Sequence, residues 1–202
     1  MTIIQMDEKI DHGPILAQQK IKIAPTDTLE QLLIKLFSIG GNLLIKLLPL
    51  WKNYQDLGAK AVQKELPALY RKWHAKNGKL FLPPKPQDHT QATHTKKFTR
   101  EDGRINWRKS DEEIDRLVKA LTPWPGAWCL LGEITRAQIP NSKLRTSNLK
   151  DKRVKILQTH LDKQGKLVVD RVQVEGKKTI NWEEFKAGYL KRQSNKHAKP
   201  KD

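Results

Sequence analysis

Residues 110–128, SDEEIDRLVKALTPWPGAW, predict one helix with a defined beginning, a buried face and an end. Ser110 precedes Glu113 by three positions, which is the capping-box spacing that satisfies free amides at a helix start. Apolar residues then recur at helical spacing on one face, at Ile114, Leu117, Val118 and Leu121. Because Pro123 cannot continue a helix, we expect the helix to end near Leu121 and to be followed by a turn.

Three stretches after this helix have the β-branched and aromatic content of strands: Trp128 to Ile134, Val154 to Leu161 and Leu167 to Val174. Several short strands with one helix predict a small antiparallel β-barrel over residues 97–190. The basic stretch 191–202 is polar throughout and is expected to be a disordered tail.

The first part of the chain combines extended segments with a long leucine-rich helix. Thr2 to Met6 and Ile15 to Ile23 predict strand-like segments, and the helix is expected to begin at Asp27 or Thr28, with its leucines in a core. Gly40-Gly41 predicts a bend or a tight contact within it. Since a strand at the first residue has no upstream sheet to join, residues 1–81 are expected to be the remnant of a larger domain.

A Pro-rich polar segment, residues 82–96, predicts a linker between this part and the barrel. The longest apolar run, Leu43 to Trp51, is interrupted by Lys46 and is shorter than the roughly 20 residues that span a bilayer, so no membrane segment is expected. The helical stretch at 56–78 has no functional interpretation.

The net charge of +17 predicts an anionic partner, and we favour a nucleic acid. Residues 1–90 contribute +5 and residues 91–202 contribute +12, so the second half carries most of the field. The single cysteine excludes an intramolecular disulfide and suits a cytoplasmic protein. The six histidines are scattered without metal-ligand spacing, so no metal site is expected.

Four motifs resemble the methionyl-tRNA formyltransferase family when they are taken in order: TIIQMDEKIDHGPIL from Thr2, KPQDHTQATHTKKFTREDGRINW from Lys85, PWPGAW from Pro123 and VEGKKTINWEEFKAGY from Val174. The resemblance covers nearly the whole chain. It implies an α+β fold, in which a remnant of a nucleotide-binding-type α/β domain precedes an oligonucleotide-binding-type β-barrel. It also implies transfer of a formyl group from 10-formyltetrahydrofolate to the amino group of methionine on initiator tRNA.

On this resemblance Asp11 is the catalytic aspartate, and the loop before it lines the folate site with Met6, Asp7, Glu8 and Ile10. In the family an Asn and a His stabilise the oxyanion, while the Asp keeps the His charged and helps to move the amine proton. The family's Asn-x-His followed by Ser-Leu-Leu-Pro occurs nowhere in the 202 residues. We therefore expect this chain to be inactive alone and to need the catalytic core, which a separate chain would supply if the two are encoded apart.

Two basic clusters are candidates for phosphate contacts with tRNA. One lies near the predicted domain junction, and the other enters the second strand of the barrel with one acid among seven basic residues over 136–155. The candidates are Lys96, Lys97, Arg100, Arg104, Arg108, Lys109, Arg136, Lys143, Arg145, Lys150, Lys152 and Arg153. The tryptophans Trp107, Trp124, Trp128 and Trp182 are expected to pack in the core rather than to stack on bases.

Two alternatives remain open. One is a non-catalytic RNA-binding module, which would be indifferent to Asp11→Ala. The other is a formyltransferase that acts on an amino-sugar nucleotide or on folate itself, although a small substrate would not require the basic excess of the second half.

Overall fold

The computed structural model describes residues 1–74, 78–140, 142–145 and 147–190, and the predicted tail lies outside them. Within these residues the fold is α+β, as expected, with two antiparallel sheets. The helices are α1 Leu29–His74, α2 Asp111–Leu121, α3 Leu131–Gln138 and α4 Trp182–Tyr189. The strands are β1 Thr2–Ile4, β2 Ile15–Gln19, β3 Gly78–Lys85, β4 Ala127–Leu130, β5 Arg153–Leu161, β6 Leu167–Val174 and β7 Thr179–Asn181.

The chain forms two compact units. The N-terminal unit consists of residues 1–24 and 30–96, and the C-terminal unit consists of residues 25–29 and 97–202, of which the part up to 190 is described. Strand β3 includes residues 82–85, so the first residues of the expected linker belong to the sheet of the N-terminal unit.

The N-terminal unit has a three-stranded sheet in the order β1-β2-β3. Ala17 in the central strand faces Ile3 on one side and Leu80 on the other. These residues form a core with Leu47 and Leu50 of α1. The single sheet therefore buries one stripe of a long helix.

The expectation that the leucines of α1 lie in a core is correct for one stripe only. Leu43 and Leu47 are buried, but an adjoining stripe is exposed and has no cover in the described residues. We call it the open face of α1, and its members are Leu33, Ile34, Phe37, Leu44, Ile45 and Leu48. The segment Leu29–Asp56 is also long and apolar enough to cross a membrane by length and composition, with a mean hydropathy of 1.6 in its best window.

Glycines shape α1 at two places. Gly58 has φ 76° and ψ 175° and divides the helix by a kink. At Gly40 the helix continues, and a Cβ there would lie 2.2 Å from Cε of Met1. Gly40 therefore allows the tight contact that the Gly40-Gly41 pair predicted, while the bend occurs further along.

In the C-terminal unit, α2 begins as the sequence predicts. The Ser110 side chain accepts from the Glu113 amide, and the Glu113 carboxylate accepts from the Ser110 amide. This reciprocal pairing also holds the pKa of the Glu113 carboxyl below its usual value, with the Ser110 amide as the largest cause. The helix buries Ile114 and Val118 against a four-stranded sheet in the order β4-β5-β6-β7.

The expected strand from Trp128 to Ile134 is wrong in its second half. Strand β4 ends at Leu130, and Leu131–Gln138 forms α3. Glu133 accepts from the Leu130 amide as a helix-start acid does, so local capping overrides the apolar run. Helix α4 was not predicted, although Asn181 and Glu184 make the same reciprocal capping pair.

One buried polar network ties α2 to the sheet. Asp115 is 3% exposed, and its carboxylate accepts from the Thr159 hydroxyl at 2.7 Å and from Lys119 Nζ at 2.5 Å. Lys119 Nζ also donates to the carbonyl of Pro25 at 2.9 Å. The network satisfies a carboxylate that burial would otherwise make costly.

Two backbone segments, at Gly103 and Gly126, approach each other closely beside Trp128. A Cβ at Gly103 would lie 2.1 Å from the carbonyl oxygen of Gly126, so only glycine fits there. The Ile105 amide donates to the Trp128 carbonyl at 2.8 Å, and Trp128 Nε1 donates to the Arg100 carbonyl at 2.7 Å. The segment 100–105 is thereby held against β4.

Gly103→Ala is expected to lower the free energy of unfolding of the C-terminal unit by about 1–3 kcal/mol, because two backbones must move apart. Urea denaturation followed by tryptophan fluorescence measures this. Gly188→Ala is the control, since nothing lies within 4 Å of its added Cβ in α4 and the change is expected to be neutral or stabilising. Equal stabilities of the two variants would contradict the close approach.

Candidate active-site loop and nucleic-acid interface

Asp11 lies in a closed loop between β1 and β2. The loop is closed at its base by the Gln5 amide, which donates to the Pro14 carbonyl at 2.9 Å. Asp11 has φ 53°. Among the described residues it is the only one other than glycine with a positive φ. A Cβ on Gly13 would lie 1.7 Å from the Gln5 carbonyl oxygen, so the loop requires glycine two residues after the aspartate.

The first half of the loop is tied together by Asp7. Its carboxylate accepts from the Lys9 amide at 2.9 Å and from His12 Nδ1 at 2.6 Å. The hydrogen bond from His12 is the largest cause that holds the pKa of Asp7 below its usual value. His12 therefore orders the loop through Asp7, a role that the sequence did not indicate.

The other residues predicted for the folate site lie on the same loop as the Asp7–His12 hydrogen bond. Met6 is 87% exposed and Ile10 is 94% exposed, while Glu8 is exposed on the same loop. The loop thus presents two apolar groups and carboxylates on one short segment, which suits a flat heterocycle with polar edges.

A concave pocket of about 310 Å³ lies on the outer face of the C-terminal sheet and is lined by Arg100, Trp128, Arg153 and Lys155, with Gln173 and Glu175 at its side. We call it the Trp128 pocket. Trp128 is 6% exposed because guanidinium groups cover its ring, with Arg153 at 4.7 Å and Arg104 at 5.0 Å from the ring centroid. Such cation–π contacts restrict the arginines and present their N–H groups outward.

Three cations of the Trp128 pocket are available to a ligand. Arg100, Arg153 and Lys155 are exposed, and none has a carboxylate within salt-bridge distance among the described residues. Lys155 belongs to the predicted basic cluster over 136–155, although it is not among the named candidates. Its alternation with Arg153 along β5 places both side chains on the same face of the sheet.

Other predicted cations are already engaged. Arg104 pairs with Glu133 at 2.8 Å, and Lys109 pairs with Glu113 at 3.2 Å. Arg145 donates to the carbonyls of Leu190 and Ala187, so it closes the C-terminal end of α4. These three residues have fewer free donors for phosphate than their sequence positions suggested.

The remaining candidates are spread over the surface. Arg108 and Arg136 line a wider concavity together with Arg104, and the indole N–H of Trp107 beside them is buried without a hydrogen-bond partner in the described part of the chain. Lys97, Lys143, Lys150 and Lys152 are exposed, and so is Lys96 at the end of the N-terminal unit. The structure therefore concentrates only part of the predicted set in one place.

The core assignment of the tryptophans holds for three of the four. Trp107 and Trp182 pack against the C-terminal core, and Trp128 is buried beneath its arginines, but Trp124 is 58% exposed. Cys129 lies in the same core, where burial raises the pKa of its thiol and makes it a packing residue. Among the described residues no group of three His, Cys, Asp or Glu side chains could hold a metal ion.

Comparison with known proteins defines the class to which both units belong. Residues 1–48 match the family model described as formyl transferase, and residues 97–190 match the model described as formyl transferase, C-terminal domain. The Asp11 loop and the Trp128 pocket lie within these two matched ranges. The chain belongs to the formyl transferase family.

The curated relatives of the chain carry a more specific name. The methionyl-tRNA formyltransferase of Dictyoglomus thermophilum is 31% identical over 198 residues, which cover 94% of this chain and 55% of that protein. Those of Chloroflexus aurantiacus and Gluconobacter oxydans are 35% and 33% identical over 63% and 66% of this chain, and 33% and 34% of their own length. The chain thus spans between a third and about half of the length of these relatives.

Proposed function

We propose that this chain supplies the catalytic aspartate and the tRNA-binding surface of a cytoplasmic methionyl-tRNA formyltransferase that acts in translation initiation. The observation that carries the proposal is that one chain matches both formyl transferase domains. In addition, a relative named methionyl-tRNA formyltransferase aligns with 94% of the residues of this chain. The closed loop around Asp11 lies in the first matched domain and supports a catalytic role. The exposed cations around Trp128 lie in the second and support binding of tRNA.

Asp11 acts on the proton of the attacking amine. The methionyl amine must lose a proton as it attacks the formyl carbon, and a carboxylate within reach can accept that proton directly or through a neighbouring His. The carboxylate of Asp11 has no hydrogen-bond partner among the described residues, which leaves it available for this role. The oxyanion that forms at the formyl group needs donors that we assign to residues outside this chain, because no Asn-x-His followed by Ser-Leu-Leu-Pro occurs in it.

The formyl donor is 10-formyltetrahydrofolate, which supplies the one-carbon group. The residues present fit its pterin, since Met6 and Ile10 expose apolar surface beside the carboxylates of Asp7 and Glu8. Apolar contact would cover the heterocycle, and carboxylates accept hydrogen bonds from its amino edge. No metal is required by this assignment.

The open face of α1 is the contact surface for the catalytic core. Its six large apolar side chains are 42–71% exposed, which is more apolar surface than one helix of a monomer usually leaves to water. Where a separate chain supplies the catalytic core, Phe37→Glu is therefore expected to abolish co-purification of that chain when the protein is isolated from its own cell. Asn42→Glu, on the polar side of α1, is the control that should leave co-purification unchanged.

Binding of tRNA depends on the Trp128 pocket more than on the paired cations. The double change Arg153→Gln and Lys155→Gln is expected to weaken initiator tRNA binding about 10²- to 10⁴-fold, because each of the two charged contacts contributes about 1.5–3 kcal/mol. The slope of log affinity against log salt should fall by about 1 for each lost phosphate contact. Filter binding over a series of salt concentrations measures both quantities.

The matched control removes two charges elsewhere on the same unit. Arg116 pairs with Glu112 on the exposed side of α2, and Lys163 lies in the turn between β5 and β6. The variant Arg116→Gln with Lys163→Gln should bind nearly as well as the unchanged chain. Equal losses in both double variants would mean that net charge alone drives binding.

A non-catalytic RNA-binding module is the second candidate. It is favoured by the basic pocket, which can bind RNA without any catalytic group. The two candidates differ in their dependence on Asp11, since only the enzyme loses function when this carboxylate is removed.

A further inference from the structure

The conformation of Asp11 is not stabilised by the loop alone. A positive φ is unfavourable for a residue that carries a Cβ, and it persists where surrounding contacts determine it. The hydrogen bonds of the loop with itself join Gln5 to Pro14 and Asp7 to Lys9 and His12, and none of these reaches the carbonyl of Asp11.

The missing support comes from the segment that follows β3. Gln87 Nε2 donates to the carbonyl of Asp11 at 2.8 Å and to the carbonyl of Gly13 at 2.7 Å. The side-chain amide has two hydrogens, and these two acceptors use both. One residue, which lies 76 positions from Asp11, therefore holds the Asp11–His12 and Gly13–Pro14 peptide groups.

A second contact joins the same two segments. The ring of His89 stacks on that of His12, with 3.8 Å between centroids and 4° between planes. His89 is held in a short turn by Asp88, which accepts from the Thr90 amide, the Thr90 hydroxyl and Gln91 Nε2. The hydroxyl and amide of Thr90 are the main causes that lower the pKa of the Asp88 carboxyl.

We infer that Gln87 is a positioning residue for Asp11. The inference rests on the proposed catalytic role of Asp11. The direction of the Cα–Cβ bond of Asp11 depends on the peptide plane that follows it, and the Gln87 bond to the Asp11 carbonyl holds that plane. The bond to the Gly13 carbonyl holds the far end of the same turn. A displacement of about 1 Å at a reacting group can cost about 100-fold in rate. Gln87 therefore acts on catalysis through geometry, without touching either substrate, and His89 assists by holding His12 in place.

The order of the loop tests the first half of the inference. Backbone amide order parameters of residues 9–13, measured by 15N relaxation on the whole chain, are expected to be about 0.85 in the unchanged protein and below about 0.6 in Gln87→Ala. Gln91→Ala is the matched control, because this glutamine stands in the same segment and its amide bonds only within the turn of Asp88. Equal order in the two variants would overturn the inference.

Kinetics of the complete enzyme tests the second half. Gln87→Ala should lower kcat about tenfold or more while the KM for tRNA changes less than about twofold, since the positioned group acts on the reaction step. Gln87→Glu keeps the shape and loses both donors, so it should behave as Gln87→Ala does. An unchanged kcat in a variant with a disordered loop, or a loss confined to KM, would show that Gln87 only anchors the segment.

Failure of the inference is distinguishable from failure of the proposed function. If Asp11→Asn leaves formyl transfer intact, the catalytic assignment fails and the positioning role fails with it, whatever the order parameters show. If Asp11→Asn abolishes transfer and Gln87→Ala does not lower it, the proposed function stands and the positioning role alone is wrong.

Discussion

Asp11→Asn is expected to lower kcat for formyl transfer to methionyl-tRNA by about 10²–10⁴-fold, which is the usual contribution of a positioned acid or base. Asparagine keeps the size of the side chain and tolerates positive φ, so the loop should retain its conformation. The lost function is acceptance of a proton, because a neutral amide is not basic. KM for both substrates should change little, since the carboxylate acts mainly in the transition state.

The measurement is steady-state kinetics of the enzyme isolated with its catalytic core. Glu30→Gln is the control, since this exposed carboxylate begins α1 and has no place in the site. A kcat for Asp11→Asn within about twofold of the unchanged enzyme would remove Asp11 from the mechanism. Loss of backbone order at residues 9–13 in that variant would instead indicate that the loop had unfolded.

Asp115→Ala is expected to lower the free energy of unfolding of the C-terminal unit by about 3 kcal/mol or more, which is the range for breaking a buried ion pair. The change leaves the Thr159 hydroxyl buried without its acceptor. It also leaves Lys119, whose side chain is 16% exposed, without its carboxylate. Both groups remain in a site that water reaches poorly, so their lost bonds are not replaced.

The exposed ion pair on the same helix provides the control. Glu112 and Arg116 are about two-thirds exposed and are spaced as in the Asp115–Lys119 pair. Glu112→Ala should therefore cost less than about 0.5 kcal/mol. Urea denaturation of both variants measures the difference, and equal midpoints would show that the network contributes little.

The capping signals of the sequence predicted α2 well because they are local. Ser110 and Glu113 satisfy each other within one turn, so no distant contact was needed. The same pair occurs at Asn181 and Glu184, although α4 is not among the predicted helices. At Leu130 the apolar run favoured a strand, although the helix start there also depends on a local acid, Glu133.

The candidate site was less accessible to sequence reasoning because it depends on contacts between distant positions. Asp11 could be assigned from its surrounding motif, yet Gln87 lies 76 positions away and gives no local signal. Basic residues could be counted, but the sequence does not reveal that Glu133 neutralises Arg104, or that Arg145 is used to close a helix. Which cations remain free is a property of the folded chain.

The open face of α1 illustrates a different limit. The helical spacing of the leucines predicted correctly that this segment forms a helix. Spacing cannot show whether a second sheet or a partner covers each stripe. Only the structure distinguishes the buried Leu43 and Leu47 from the exposed Leu44 and Leu48.

The central claim is tested most directly by assaying formyl transfer with the protein isolated from its own cell together with everything that co-purifies. The account predicts that formylmethionyl-tRNA is produced from 10-formyltetrahydrofolate and charged initiator tRNA, and that none is produced when either is omitted. Tight binding of tRNA with no formyl transfer would contradict it and would leave an RNA-binding module. Transfer to an amino-sugar nucleotide in place of methionyl-tRNA would contradict it as well.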